Sequence, residues 1–286
     1  MFEIIANETL APMLHRMVVK APRVAKARQA GQFVIIRKDD ESERVPLTIA
    51  DADAANGTIT LIIQSIGLST QRIVATPVGG HLRDVAGPLG LPTHLKKWGN
   101  VACVGGGVGT AVLYPLAKAL AEVGNDVYAI IGARSKDYVI LENELARFAK
   151  AVYVLTEDGS AGQKGLVTLA LKDMIEGRLP KPDAVFAVGP VPMMAAVAEA
   201  TRPAGIPTTV SLNPIMIDGT GMCGGCRVTV GCKTRFVCVD GPEFDAHQVD
   251  FDNMMNRLRA YKGREDADHH QCHLEIEAAR VAASHQ

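Results

Sequence analysis

The stretch from Asp218 to Pro242, DGTGMCGGCRVTVGCKTRFVCVDGP, restricts what this chain can become more than any other. Cys223 and Cys226 have two residues between them, and Cys238 follows after eleven more. One class of [2Fe–2S] loop reads C-x4-C-x2-C with a distant fourth cysteine. Counted back from Cys223, the first ligand position falls on Asp218, so the chain offers D-x4-C-x2-C-x11-C. Gly219, Gly221, Gly224 and Gly225 suit such a loop, which needs positive-φ turns and backbone N–H groups close to sulfur. A carboxylate can complete the set, since ferric iron also accepts hard oxygen donors. The metal ligands expected are therefore Asp218, Cys223, Cys226 and Cys238.

Other chemistries fit less well. A zinc ribbon needs two C-x2-C knuckles, and here there is one. A redox C-x-x-C would open a helix, which Gly224-Gly225 and the strand-like Val228-Thr229-Val230 oppose. Cys232 competes with Asp218 as fourth ligand, although its C-x5-C spacing from Cys226 matches no pattern of this kind. The residues alone leave that choice open.

At 286 residues the chain has room for two domains and a small module. Its 30 basic and 31 acidic residues give no electrostatic case for nucleic acid or an anionic membrane surface. No apolar run reaches the roughly 18 residues of a spanning helix. MFEIIANETL starts in strand-like sequence with neither a basic n-region nor an apolar h-region. Six cysteines in that setting read as metal ligands and free thiols of a reducing compartment. A cytoplasmic globular protein is expected.

Residues 1–96 predict an antiparallel β-barrel. Strands are expected at Met13–Val19, Gln32–Arg37, Arg44–Ala50 and Thr58–Ser65, with turns at Ala21-Pro22, Asp39–Glu43 and Asn56-Gly57. A helical patch is expected at Ser69–Ala75, with Ser69 or Thr70 as its N-cap. Three pieces read as ligand contacts. Arg44, Pro46, Leu47 and Thr48 put a cation, a fixed φ and a hydroxyl on one strand end; Gly67, Ser69 and Thr70 make a glycine turn with hydroxyls at a helix start. Gly87, Pro88, Leu89 and Gly90 read as a rigid turn able to bring backbone against a flat ring.

Residues 97–210 predict a Rossmann-like parallel-sheet domain binding NAD(P). A buried strand, Val101–Val104, runs into Gly105, Gly106, Gly107, Val108, Gly109 and Thr110, and then an apolar helix to about Val123. Strand, glycine turn and helix are the context of a nucleotide-phosphate loop, though GGGVGTA departs from strict G-x-G-x-x-G. Asp126–Ile131 leads to Arg134, Ser135 and Lys136, which could hold a 2′-phosphate; no acidic residue there favours NAD, so the residues do not decide between the two dinucleotides. Ala151–Leu155 leads to a loop carrying Asp158, and Ala184–Val188 leads to Gly189, Pro190, Met193 and Met194. The two methionines read mainly as helix-start packing, and Cys103 as an inert residue of its strand.

Residues 211–262 predict the small [2Fe–2S] module, with a hairpin of Arg227–Val230 and Thr234–Val239. Residues 263–286 form a polar tail, read as disordered or as a partner-docking helix; His269, His270, Cys272 and His273 make a weak metal-site candidate there.

GQFVIIR, RVPLTIAD, GPLG, GGGVGTA, TEDGSAGQKG, VGPVPMM and DGTGMCGGC…CVDGPEFD occur in that order. Together they resemble the ferredoxin–NADP reductase superfamily, in its dihydroorotate dehydrogenase electron-transfer-subunit branch. Within it the chain is most similar to the small-subunit family of NADH-dependent reduced ferredoxin:NADP+ oxidoreductases, also described as sulfide dehydrogenase β-subunit-like. That resemblance covers about residues 1–262. It implies FAD in the barrel around Arg44–Thr48 and Gly67–Thr70, and NAD(H) at Gly105–Thr110 and Gly189–Met193. It also implies a heterodimer with a larger flavin and iron–sulfur partner, glutamate synthase small-subunit-like, which brings NADPH and ferredoxin into reach. The implied activity is hydride exchange with NAD(H) and release of single electrons to that partner, as in flavin-based bifurcation. No acid–base catalytic residue is required. The dihydroorotate subunits carry cysteine where Asp218 stands, so Asp218 favours the transhydrogenase group, whereas Cys232 departs from what that group is expected to carry. The alternatives are a dihydroorotate dehydrogenase electron-transfer subunit, a hydrogenase diaphorase subunit, or a non-catalytic sensor on a degenerate flavin barrel.

Overall fold

The structure is a computed structural model and describes residues 1–260. The tail and its His/Cys candidate site lie outside the described residues.

Seven strands build the first unit: β1 (Phe2–Ala11), β2 (Leu14–Lys20), β3 (Phe33–Arg37), β4 (Val45–Asp53), β5 (Thr58–Gln64), β6 (His81–Leu82) and β7 (Asp84–Leu89). All neighbours are antiparallel, in the order β6-β1-β2-β5-β4-β3-β7. β6 and β7 stand at opposite edges of that order, yet only Arg83 separates them in sequence. The sheet therefore curls until its edges meet, and the Arg83 N–H donates to the carbonyls of Arg37 and Lys38 at 3.0 and 3.1 Å. Alternate residues point inward, so Ile59, Leu61 and Ile63 of β5 share one interior with Ile4, Met17, Ile36, Ile49 and Leu82. A nearly closed barrel with its own core results.

Three local expectations need correction. Ala21-Pro22 is not a plain turn but the entry to α1 (Pro22–Ala27), because a proline at the first helical position is preset for the helix. The N-cap of α2 (Leu68–Val74) is Gly67, and Ser69 and Thr70 lie inside the first turn. Gly87–Leu89 is not a turn but the end of β7, which pairs with β3 through an irregularity between Phe33 and Ile35. Pro88 is tolerated there because an edge strand can spare one N–H.

The second unit is parallel. β8 (Asn100–Gly106), α3 (Gly109–Glu122), β9 (Asp126–Ala133), α4 (Glu142–Ala146), β10 (Ala151–Thr156), β11 (Gln163–Lys164), α5 (Val167–Ile175), β12 (Ala184–Val188), α6 (Val191–Thr201) and β13 (Thr208–Ser211) follow in order. β8 is apolar on both faces because helices cover both. Val101 and Cys103 face the layer containing α3, and Ala102 and Val104 face the layer of α5 and α6. Buried Asn125 ties the entry to this unit: its side chain bonds the backbone of Lys96, Trp98, Gly99 and Leu120.

The last described part holds β14 (Arg227–Val230), β15 (Lys233–Phe236), the single helical turn α7 (Val237–Asp240) and β16 (Glu243–Asp245), and residues 251–260 are helical. β15 stops short of the expected Val239 because Asp240 Oδ2 accepts from the Phe236 N–H at 2.7 Å and closes the chain into α7. β16 joins the parallel sheet antiparallel to β13, giving the order β11-β10-β9-β8-β12-β13-β16. Cys226, Val228, Val237 and Cys238 pack in one core with β8, α5, α6 and with Phe33 and Ile35 of the barrel. The fold is thus all-β barrel, α/β sheet and small cysteine module, as the sequence predicts.

Candidate functional site

A cleft of about 1030 Å³ runs between the barrel and the carboxyl ends of the parallel strands. In open α/β sheets that edge is where ligands bind. The barrel contributes Pro46, Leu47 and Thr48 of β4, Thr70 of α2, Phe33, Ile62 and Gln64. The sheet contributes Gly106, Gly107, Val108, Gly109, Arg134, Gly189, Pro190 and Met193. Twelve of the residues expected from sequence to bind cofactor are in these two groups.

The others stand back from it. Arg44 precedes β4, and the Ser69 hydroxyl is engaged by Glu43 Oε2 at 2.7 Å. Thr70 Oγ1 accepts from the Gly67 N–H and donates to the Gly67 carbonyl, so that turn is self-satisfied. Leu89 and Gly90 pack on the cysteine module: a Cβ at Gly90 would crowd Pro242, and one at Gly219 would crowd Leu89. Gly87 and Pro88 go with them in β7. Gly105 is buried at the end of β8 against Thr110, itself buried. Ser135 starts a short helical turn, and Asp158 accepts from the Ser160 N–H and hydroxyl, which hold its carboxyl below the usual carboxylate range.

The glycines of the β8–α3 turn are enforced by packing. A Cβ on Gly109 would run into the Val188 carbonyl, and one on Gly106 into the Met193 sulfur. Gly107 adopts φ +56° with open space around it, and its N–H donates to the Gly132 carbonyl at 2.8 Å. This bare backbone at a helix start is the cradle a pyrophosphate needs. Met194 is fully buried while Met193 reaches the cleft, so one methionine is packing and the other is wall. Burial raises the Cys103 thiol far above its ordinary range, in keeping with an inert strand residue.

Several wall residues escaped sequence reading. Met13 and Gln64 carry no motif. Glu157 follows β10 directly, and Ser211, Leu212, Asn213 and Pro214 leave β13; for these the Asn-Pro break was a usable signal.

The cysteine loop continues from that last segment. Cys226 and Cys238 are each 1% exposed, and their sulfurs are 3.2 Å apart. Burial, then the neighbouring Cys226 sulfur, push the Cys238 thiol up to about 12. A bare pair of thiolates is thus unfavourable there, and a bound cation is what would ionise it. Cys223 is exposed on the other limb, and its N–H donates to Asp218 Oδ2 at 2.7 Å. The Thr220 N–H, then that of Cys223, hold the Asp218 carboxyl below its ordinary range. Gly219, Gly221 and Gly224 have positive φ; Gly225 does not, but its N–H points at Cys223 Sγ at 3.4 Å. The Cys238 N–H likewise lies 3.4 Å from Cys226 Sγ.

Among the described residues no three such side chains converge at one point. A two-iron cluster does not require that, because two ligands serve each iron. The loop presents two pairs, Asp218 with Cys223 and Cys226 with Cys238. Cys232 sits at the far tip of the β14–β15 hairpin, in the two-residue turn Gly231-Cys232 with both φ positive. The strand residues Arg227–Val230 and then Gly231 stand between it and Cys226, about 13 Å of strand rise along the hairpin.

Comparison with known proteins covers both the cleft and the cysteine loop. The iron–sulfur cluster binding domain of dihydroorotate dehydrogenase B matches residues 213–250, and the oxidoreductase NAD-binding domain matches residues 103–199. The chain is 44% identical over 263 residues to the dihydroorotate dehydrogenase B (NAD(+)) electron transfer subunit homolog of Thermotoga maritima, covering 92% of each chain. It is 45% identical over 273 residues to an uncharacterized protein in the adh 3′ region of Clostridium beijerinckii, covering 93% of this chain and 92% of that one. It superposes with TM-score 0.88 and 42% identity on a chain from the structure of NADH-dependent reduced ferredoxin-NADP oxidoreductase, studied for flavin-based electron bifurcation, covering 94% of this chain and 96% of that one. A ferredoxin reductase of carbazole 1,9a-dioxygenase shares the fold at 20% identity and TM-score 0.61. No helix among the described residues is long and apolar enough to cross a membrane.

Proposed function

The chain belongs to the family of dihydroorotate dehydrogenase B electron-transfer subunits and their homologues, and from that premise we propose that it takes electrons from NADH in the cleft and hands them singly, through the cysteine loop, to a larger partner. It is an oxidoreductase subunit using FAD, NAD(H) and an iron–sulfur cluster. When bound, FAD exchanges two-electron nicotinamide chemistry for one-electron steps, and a [2Fe–2S] cluster carries one electron at a time.

The observation that carries this reading is continuity. Ser211, Leu212, Asn213, Pro214 and Met216 line the cleft, and Asp218 begins the cysteine loop two residues later. One short segment is therefore wall for the first site and entry to the second. Pro46, Leu47, Thr48 and Gln64 would hold the flavin side of the cleft, and the Gly106–Gly109 backbone the pyrophosphate. Gly189, Pro190 and Met193 would press the nicotinamide toward the barrel and keep water out. Asp218, Cys223, Cys226 and Cys238 would hold the cluster, with loop N–H groups directed at the sulfurs.

The partner we infer is a glutamate synthase-like flavin and iron–sulfur subunit, making the pair an NADH-dependent reduced ferredoxin:NADP+ oxidoreductase in the cytoplasm. Asp218 is the residue favouring this over a dihydroorotate dehydrogenase partnership. The test is the visible spectrum of anaerobically purified protein before and after NADH. Flavin and iron–sulfur bands that bleach with NADH support the reading; no chromophore, or no response from the complete complex, rejects it. In the same spectra Cys226→Ser should abolish the iron–sulfur bands and leave flavin, whereas Cys232→Ser should change neither.

A further inference from the structure

Among the described residues lining the cleft, only Arg134 and Glu157 carry charged side chains. They stand side by side, at the ends of β9 and β10, where the Glu157 N–H donates to the Ala133 carbonyl and the Asp158 N–H to the Arg134 carbonyl, at 3.1 and 3.2 Å. Both side chains are exposed, and among the described residues neither is in an ion pair or side-chain hydrogen bond. The other charged residues of these loops, Lys136, Asp137 and Asp158, are not among those lining the cleft. Asp158 is taken up by Ser160, whose Oγ also accepts from the Lys136 backbone N–H.

Their position fixes what they meet. A dinucleotide whose pyrophosphate lies on Gly106–Gly109 and whose nicotinamide lies toward β12 and the barrel must extend its adenosine half the other way, over β9 and β10. Leu166, 62% exposed at the entry to α5, offers apolar surface for a purine on that side. The adenosine ribose is where the two nicotinamide dinucleotides differ, a 2′-hydroxyl in one and a 2′-phosphate in the other. A carboxylate accepts a hydrogen bond from the hydroxyl and repels the phosphate.

The geometry points to Glu157 as the residue that selects NAD(H) over NADP(H), with Arg134 beside it attracting either form. The usual acidic position after the second strand is held here by Arg134, so discrimination has moved one strand outward. This rests on the dinucleotide reading of the cleft given above.

The test is calorimetric titration of the as-purified full chain with ADP-ribose and with 2′-phospho-ADP-ribose, fragments that bind without redox chemistry. The wild type should prefer ADP-ribose. Glu157→Gln should narrow the ratio of the two Kd values by ~10-fold or more, chiefly through tighter binding of the phosphorylated fragment, and Glu157→Asp should keep the preference. Glu157 is exposed and, among the described residues, unpaired, so these variants should fold as the wild type does. A wild type that prefers ADP-ribose while Glu157→Gln leaves the ratio unchanged overturns this inference alone. A wild type that prefers the phosphorylated fragment also overturns it, and assigns recognition to Arg134. Binding of neither fragment overturns it together with the dinucleotide reading.

Discussion

Glu243 sits half-buried in β16, where it accepts from the Thr93 hydroxyl at 2.6 Å, and a Cβ on Gly31 would touch both groups. Burial raises its carboxyl to about 7, against the smaller opposing effect of Thr93. An acid with a raised folded pKa contributes stability below its unfolded value, and that contribution is lost as pH rises through about 7. Glu243→Gln should therefore gain on the wild type by about 1–3 kcal/mol between roughly pH 5 and pH 8, read from urea midpoints at intervals across that range. Nothing in EFDAH announces this, because burial comes from Thr93 and Gly31, far away in sequence. Glu157 is exposed and carries no motif, and the sequence reading favours its neighbour Asp158, whose carboxylate Ser160 takes up. Cysteine spacing, by contrast, is local chemistry, so Asp218, Cys223, Cys226 and Cys238 could be proposed as ligands from the sequence alone, whereas the position of Cys232 at the tip of the β14–β15 hairpin could not be read from it.

At the scale of elements, the β8–α3 turn shows why its glycines are not interchangeable. Gly107 has room, whereas Gly109 faces the Val188 carbonyl, a backbone atom that cannot swing aside. Gly109→Ala should cost about 1–3 kcal/mol by overpacking and weaken dinucleotide binding, measured by thermal unfolding and by NADH titration. The long strands and α3 were legible because a buried parallel strand between helical layers reads as a continuous apolar run. α1, β6, β11 and α7 were not, being two to six residues long and too short to show a period. β7 was hidden by its Gly87-Pro88 pair, which reads as a turn unless the irregular pairing with β3 is known. β16 was hidden in an acidic run, since three edge residues need little apolar pattern.

Across the whole molecule, the barrel and the sheet share a buried apolar seam, Ala11, Leu14, Ala50 and Ile62 against Ala111, Ile140 and Leu141, with polar links around it. Arg16 of β2 meets Glu144 of α4 at 2.9 Å, Lys118 of α3 meets Asp51 of β4 at 3.7 Å, and Thr93 meets Glu243. The two ion pairs lie toward the surface and contribute little energy; orientation comes instead from that seam and from Phe33 and Ile35, barrel residues that lie within the core of the sheet and the cysteine module. Barrel and sheet could each be inferred from their own periodicity, but no pattern in either half reports how they face one another. The cysteine module is attached differently. β16 is hydrogen-bonded to β13, so the module is the last strand of the dinucleotide sheet and not a bead on a linker. A shuttle that must swing between donor and acceptor is slowed by thick solvent, whereas a soldered junction is not. Flash or stopped-flow reduction in buffers thickened with sucrose should accordingly show the step from cleft to cysteine loop holding its rate, and any viscosity dependence should arise where this chain meets its partner.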